Sequence, residues 1–330
     1  MKLRIKFSCL QFVVLVVALA VLVPVCRAQK YPTRAIDIVV PYAAGGGVDT
    51  FFRAIREALA EELKVPVNII NRPGGGGVVG SSFVANSKAD GYTLLGQDLA
   101  SIVSTQVITP KIPYNILKDF QPIANCATLP QVMAVRSDSE FKTIEDLISY
   151  AKKNPGKLLA GTPGIGSSPH FNLELLKSST GINITHLPLG GGGEVIPNLL
   201  GGHIDLGFPG VSIAKPHIKA GKIRLLATCS EERLPDLPEI PTTREKGIPE
   251  VNINTPLCLL GPKDLTPQVT ERLTHAVSEI LKSPELVANL SRLGCFVNFL
   301  PSDQLGERIK KEFKIYLEVA KKAGFAKIQD

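Results

Sequence analysis

The chain has 330 residues, 44% hydrophobic and 20% charged, with a formal charge of +7 and no tryptophan. That length calls for one large or two medium domains. Residues 1–28 hold Lys2, Arg4, Lys6 and Arg27 and no acid, so without those four bases the charge falls from +7 to +3. No basic stripe is left to argue for nucleic acid.

Those first 28 residues read as a signal peptide. A basic n-region precedes an apolar run, Phe12 to Val23, and Cys26-Arg27-Ala28 places small residues at −3 and −1. Cleavage after Ala28 and export as a soluble protein are expected. The run is short for a permanent span. Lipidation would fall on Cys26, but Val25 before it is bulkier than lipoprotein processing usually tolerates. Four cysteines remain, Cys126, Cys229, Cys258 and Cys295, with no CxxC and no His at ligand spacing. No metal or cofactor is predicted. Export permits disulfides in three connectivities; equally, each thiol is a small buried apolar group.

In chain order, Ile36–Val40 is an apolar run that predicts a buried strand. Pro41 stops it, Gly45-Gly46-Gly47 form a bare loop, and Phe52, Ile55, Leu59 and Leu63 keep helical spacing, with Asp49 or Thr50 as N-cap. Val65–Ile70 is the next strand, followed by Asn71-Arg72-Pro73, four glycines, a short helix over 79–87 and a strand over 92–95. Strand, helix, strand, helix, strand favours a parallel sheet covered on both faces. An extended stretch, Phe120 to Val135, breaks at Pro130 and reads as a crossing into a second domain. There Thr143 to Asp146 resembles a capping box opening a helix to Lys153. Strand 158–160 leads into Gly161 to Pro169, with Ser168 as N-cap, Pro169 at N1 and Gly181 as the left-handed stop. Strands at 184–187, 204–208 and 223–229 alternate with helices opened by Gly190–Gly193 and Ser212. The proline-rich stretch 234–249 reads as the return. Thr266-Pro267, Ser283-Pro284 and Ser302 or Asp303 start the last three helices. Domain I is therefore expected at 29–128 plus 250–330, and domain II at 129–249.

Five glycine-rich turns lie at strand-to-helix junctions, where open α/β sheets bind ligands. A glycine loop entering a helix aims free amides and the positive dipole end at one spot, an anion site made of backbone. The predicted ligand set is Tyr42, Ala44, Gly45, Gly46, Gly47, Val48 and Asp49 from the first loop. Gly164, Ile165, Gly166, Ser167 and Ser168 join from the third, and Asp205 from a strand edge. Asp49 also reads as a cap, Asp205 as a loop brace, and His170 and His186 as structural. GxxxxGK[ST], GxGxxG and GxSxG are not matched, so no catalytic residue is assigned and an enzyme is not expected.

The stretch YPTRAIDIVVPYAAGGGVDTFFR resembles the opening of the Bug-type receptors, the extracytoplasmic solute-binding proteins of tripartite tricarboxylate transporters. VNIINRPGGGGVVG, ADGYTLL, DFQPIA, GTPGIGSSPH, HLPLGGGGEVIPNLLGGHIDLGF and AGKIRLLATCSEERLPDLPEIPTTREKGI follow in order and cover the mature chain. The resemblance implies a type II-like, two-lobed periplasmic binding protein with parallel-rich α/β sheets that closes over a small carboxylate. Its carboxylate loops correspond to Tyr42–Asp49 and Gly164–Ser168. It implies a large and a small membrane permease subunit as partners, and the chain is taken as a monomer. A sensing receptor or an enzyme on the same fold are the alternatives. Where the family often has His-Val-Pro-Tyr-Lys-Gly, this chain has His186-Leu187-Pro188-Leu189-Gly190-Gly191, and the family's usual tryptophan near Thr255 is missing. One aromatic and one cationic option are absent.

Overall fold

The computed structural model describes residues 31–42, 44–189, 192–322, 324, 326 and 327. The signal peptide expected over residues 1–28, with Ala43, Gly190 and Gly191, lies outside the described residues. Two sheets organise the rest.

The first sheet contains β1 (Ile36–Val40), β2 (Val67–Asn71), β3 (Thr93–Asp98), β4 (Phe120–Leu129), β10 (Thr255–Pro262) and β11 (Phe296–Pro301), in the order β11-β4-β10-β3-β1-β2. The second contains β5 (Val132–Arg136), β6 (Leu159–Thr162), β7 (Thr185–Pro188), β8 (Leu206–Gly207) and β9 (Ile223–Thr228), in the order β7-β6-β8-β5-β9. Each is mixed. β1 pairs in parallel with β2 and β3, and β6 with β7 and β8. Antiparallel strands enter where the chain crosses between the sheets, β10 between β3 and β4, and β5 beside β8 and β9. The break at Pro130 falls between β4 of one sheet and β5 of the other.

Burial on both faces explains the apolar strands. In β1, Ile36, Ile38 and Val40 enter one core with Phe51, Phe52 and Ile55, while Val39 faces another with Leu95, Leu99 and Ile102. That is the period of two expected of a strand covered on both sides. Phe51, Phe52 and Ile55 sit on α1 (Gly47–Leu63), the amphipathic helix expected from sequence. In β5, Met133 and Val135 face one core and Val132 and Ala134 the other.

The parallel strands of each sheet end on one edge, and each leads into a helix. β1, β2 and β3 feed α1, α2 (Val78–Ala85) and α3 (Leu99–Ile108). β6, β7 and β8 feed α5 (Ser168–Thr180), α6 (Val195–Leu200) and α7 (Val211–Lys219), after α4 (Ile144–Lys153). The chain then forms α8 (Pro267–Ile280), α9 (Pro284–Arg292) and α10 (Ser302–Lys322). α8 and α9 open by the cap-then-proline rule, with Thr266 and Ser283 as caps. α4 carries the expected capping box of Thr143 and Asp146. α10 packs on α3 and also meets α5, where the Tyr316 and Phe171 rings lie 4.3 Å apart. The four cysteines are free and buried, and burial pushes the Cys126 and Cys295 thiols up to about 12.

Three expected caps move. α1 is entered through Gly46, and Asp49 sits inside its first turn. Ser167, one residue before Ser168, caps α5, because its hydroxyl is the one that reaches the His170 amide. α7 begins from Gly210 rather than Ser212. Element α3 was not anticipated from sequence at all.

Candidate functional site

The first loop is built to leave backbone exposed. Ala44, Gly45, Gly46 and Gly47 are exposed, and Val48 and Asp49 are buried at the helix start. Gly45 holds φ +85°, which an L side chain rarely adopts. The amides of Gly47, Val48 and Asp49 lack intrahelical acceptors by helix geometry. Gly46 brings no side chain to cap them. They therefore stay available to an external acceptor, reinforced by the helix dipole.

Asp49 does not compete for that spot. Its carboxylate accepts from the Gly45 amide (2.8 Å), Arg53 Nε (2.9 Å) and Asn71 Nδ2 (2.9 Å). Burial alone would raise its pKa, but these hydrogen bonds outweigh it and hold the carboxyl below its usual range. Asn71 also donates to the Tyr42 carbonyl (3.0 Å) and accepts from Arg53 (2.8 Å). The loop is thus braced from behind by a closed network. The bracing role of Asn71 went unread in the sequence, although the residue ends a strand beside a glycine run.

Tyr42 turns away from the open backbone. Its hydroxyl donates to Gln97 Oε1 (2.6 Å), and Gln97 donates onward to Ser81 (3.0 Å). Asp98 follows, capping α3 through the Ala100 amide (2.9 Å) and accepting from the Ser101 hydroxyl. Burial raises Asp98 to about 7 despite those bonds. The N-terminus of α3 is consequently filled by its own carboxyl, whereas that of α1 is not.

The opposing loop, Pro163–Ser167, spends its polar groups internally. Gly166 N–H donates to His170 Nδ1 (3.1 Å), and Ser167 Oγ donates to the Gly164 carbonyl (2.8 Å) and caps His170 N–H (3.3 Å). Ser168 is buried, its hydroxyl beside the Tyr316 phenol. His170 stacks on His186 at 4.2 Å, and His186 Nε2 lies 2.7 Å from Thr162 Oγ1. Burial lowers both imidazoles to about 4, helped by Lys177 for His170 and by His170 for His186. They are neutral struts under the loop. Ile165 alone in this loop is exposed, at 64%.

α3 contacts the 163–167 loop directly and reaches Tyr42 through Gln97. Ser104 Oγ donates to the Gly166 carbonyl, and a Cβ on Gly166 would strike Ile108. One turn earlier, Ser101 adjoins Asp98 beside the Tyr42–Gln97 pair. Tyr42, at the base of the first loop, and Gly166, in the second, are thereby tied to one helix. Asp205 is not. Its amide and carboxylate bond to Leu159 (both 2.8 Å), at the start of β6, whereas the loop leaves from the end of β6. It braces the opposite edge of the sheet. A groove of about 1660 Å³ between α5, residues 230–235 and α10 includes none of the loop residues. Among the described residues, no group of three His, Cys, Asp or Glu is placed to hold a metal ion.

Known proteins match this arrangement along most of its length. The profile described as "Tripartite tricarboxylate transporter family receptor" matches residues 51–324. The chain belongs to that family. The receptor is 30% identical to Protein BugT of Bordetella pertussis, over 90% of this chain and 91% of that one. Its fold is similar to the periplasmic binding protein BugD, with TM-score 0.78, 28% identity and coverage of 90% and 99%. It is also similar to R. palustris Rpa4515 with adipate, with TM-score 0.81, 29% identity and the same coverage. The receptor is a solute-binding protein of Bug type, and its family and neighbours are receptors rather than enzymes.

Proposed function

We propose that the receptor captures a small carboxylate in the periplasm between two lobes and delivers it to a tripartite tricarboxylate-type secondary transporter. Its partners there are a large and a small membrane permease subunit, and it does not turn the ligand over. The carrying observation is the row of uncapped amides opening α1, in an exposed loop whose own acid is fully committed elsewhere. The adipate held by Rpa4515 supports a carboxylate as the anion.

The lobes in this reading are 29–128 with 250–330, and 129–249. Membership of the two sheets supports that division, because β1–β4, β10 and β11 share one and β5–β9 the other. The carboxylate rests on the Ala44–Asp49 backbone, and the Gly164–Ser168 loop closes from the opposite lobe. Asp205, on the far edge, has no part in it. Hydrogen bonds to a charged group contribute about 1.5–3 kcal/mol each, so three amides supply about 4.5–9 kcal/mol towards the cost of holding the ligand, and burial of its remaining surface supplies the rest.

Native mass spectrometry of the protein purified from periplasm identifies the solute carried through. Titration of that solute into the wild type and Gly45→Val then tests the site. A Cβ at Gly45 meets nothing within 4 Å, so the substitution acts through φ rather than bulk. Affinity should fall by about tenfold or more while the fold is retained. A carried solute without an acidic group would overturn the proposal.

A further inference from the structure

The two loops offer opposite chemistry. Lobe I presents bare amides, and Leu129 lies beside them, with its Cδ1 3.1 Å from where a Gly47 Cβ would sit. The 163–168 loop of the other lobe presents one exposed side chain, Ile165, between two glycines of positive φ. The hydroxyls of Ser167 and Ser168 are turned inward, and the Gly166 amide is taken by His170. Leu189 packs under the same loop, its Cδ1 3.2 Å from a Cβ placed on Gly161.

Charge at the strand-to-helix junctions points the same way. At the junctions that follow the parallel strands β1, β2, β3, β6, β7 and β8, the acids are Asp49, Asp98 and Glu194, and the one base is Arg72. Arg72 lies over the Phe83 ring at 3.7 Å, and Arg53, one turn into α1, is held by Asp49 and Asn71. One carboxylate is therefore met by amides, and a second would be brought against isoleucine with no cation to receive it. An ionised group buried without a partner is costly, whereas an apolar end gains by covering Ile165 and Leu129.

We infer that this receptor takes monocarboxylates with an apolar body, the carboxylate on the α1 amides and the apolar end against Ile165. The inference rests on the carboxylate reading above and narrows it.

Calorimetric titration with matched pairs tests it: hexanoate against adipate, and 4-methylbenzoate against terephthalate. The monoacid of a pair should bind the wild type about tenfold or more tightly than the diacid. Ile165 is exposed, so Ile165→Lys should fold normally, and its ammonium should reverse the order by receiving the second carboxylate. A wild type that prefers the diacid would overturn the inference and leave the carboxylate reading standing. An unchanged monoacid preference in Ile165→Lys would overturn the placement of the apolar end. Failure of all four acids to bind would remove both the inference and the reading beneath it.

Discussion

Replacing Asp49 with alanine should unmake the loop without touching any ligand contact. The carboxylate is 2% exposed and accepts from the Gly45 amide and Asn71 Nδ2, each within 2.9 Å. A hydrogen bond to a charged acceptor contributes about 1.5–3 kcal/mol. Gly45 lies in an exposed stretch and regains water when freed, so the two bonds together are worth about 2–4 kcal/mol. The pair with Arg53 adds little, because that guanidinium is exposed. Urea unfolding should therefore show a loss of about 2–4 kcal/mol. Ligand affinity should drop about tenfold, or 1.4 kcal/mol, as the Gly45 turn relaxes. The sign with pH is fixed by a depressed carboxyl: its stabilisation is present above the unfolded pKa, about 3.9, and is lost as pH falls through the folded value. Wild type and variant should converge in acid as pH falls through that folded value. A loss under about 0.5 kcal/mol with unchanged affinity would refute the bracing role.

Asp98 behaves oppositely. Its folded pKa of about 7 lies above the unfolded value, so its stabilisation is complete in acid and is lost as pH rises through 7. Asp98→Asn keeps an acceptor for the Ala100 amide and should be more stable than wild type above pH 7 but not at pH 4, read by Tm at both. His170 and His186, both lowered to about 4, contribute stability that is present above about pH 6.5 and lost as pH falls towards 4. His186→Asn should flatten part of that acid slope in urea titrations across pH 4–7; an unaltered slope would rule out His186 as a contributor. Gly80→Ala would put a Cβ 2.8 Å from the Pro41 Cα and 2.9 Å from the Arg72 carbonyl, both backbone. It should cost about 1–3 kcal/mol in chemical denaturation by pushing α2 off the loop.

Much of this site was legible because local rules and the fold agree at its centre. The apolar run of β1, the glycines and the spacing of Phe52, Ile55 and Leu59 are short-range signals, and each found its place. The cap of α5 slipped by one residue because Ser167 and Ser168 are chemically equal candidates. Only the path of the first turn decides which hydroxyl meets the His170 amide. Asp205 was misplaced for a different reason. It immediately precedes β8, but which end of a strand faces the ligand depends on its direction in the sheet, set by pairing with β6. The insertion of β10 between β3 and β4 joins residues more than a hundred positions apart, which no periodicity records. Helix α3, by contrast, had a readable signal. Asp98 is a good N-cap, and Leu99, Ile102, Val103 and Val107 keep helical spacing.

Because the amides opening α1 carry the reading, the central claim concerns the space in front of them. A crystal structure of the receptor with its native solute measures that directly. The account predicts a carboxylate oxygen within about 3.2 Å of at least two backbone nitrogens among Gly46, Gly47, Val48 and Asp49, with no lysine or arginine on it. A carboxylate found on a charged side chain, or in the groove beside α10, would contradict it.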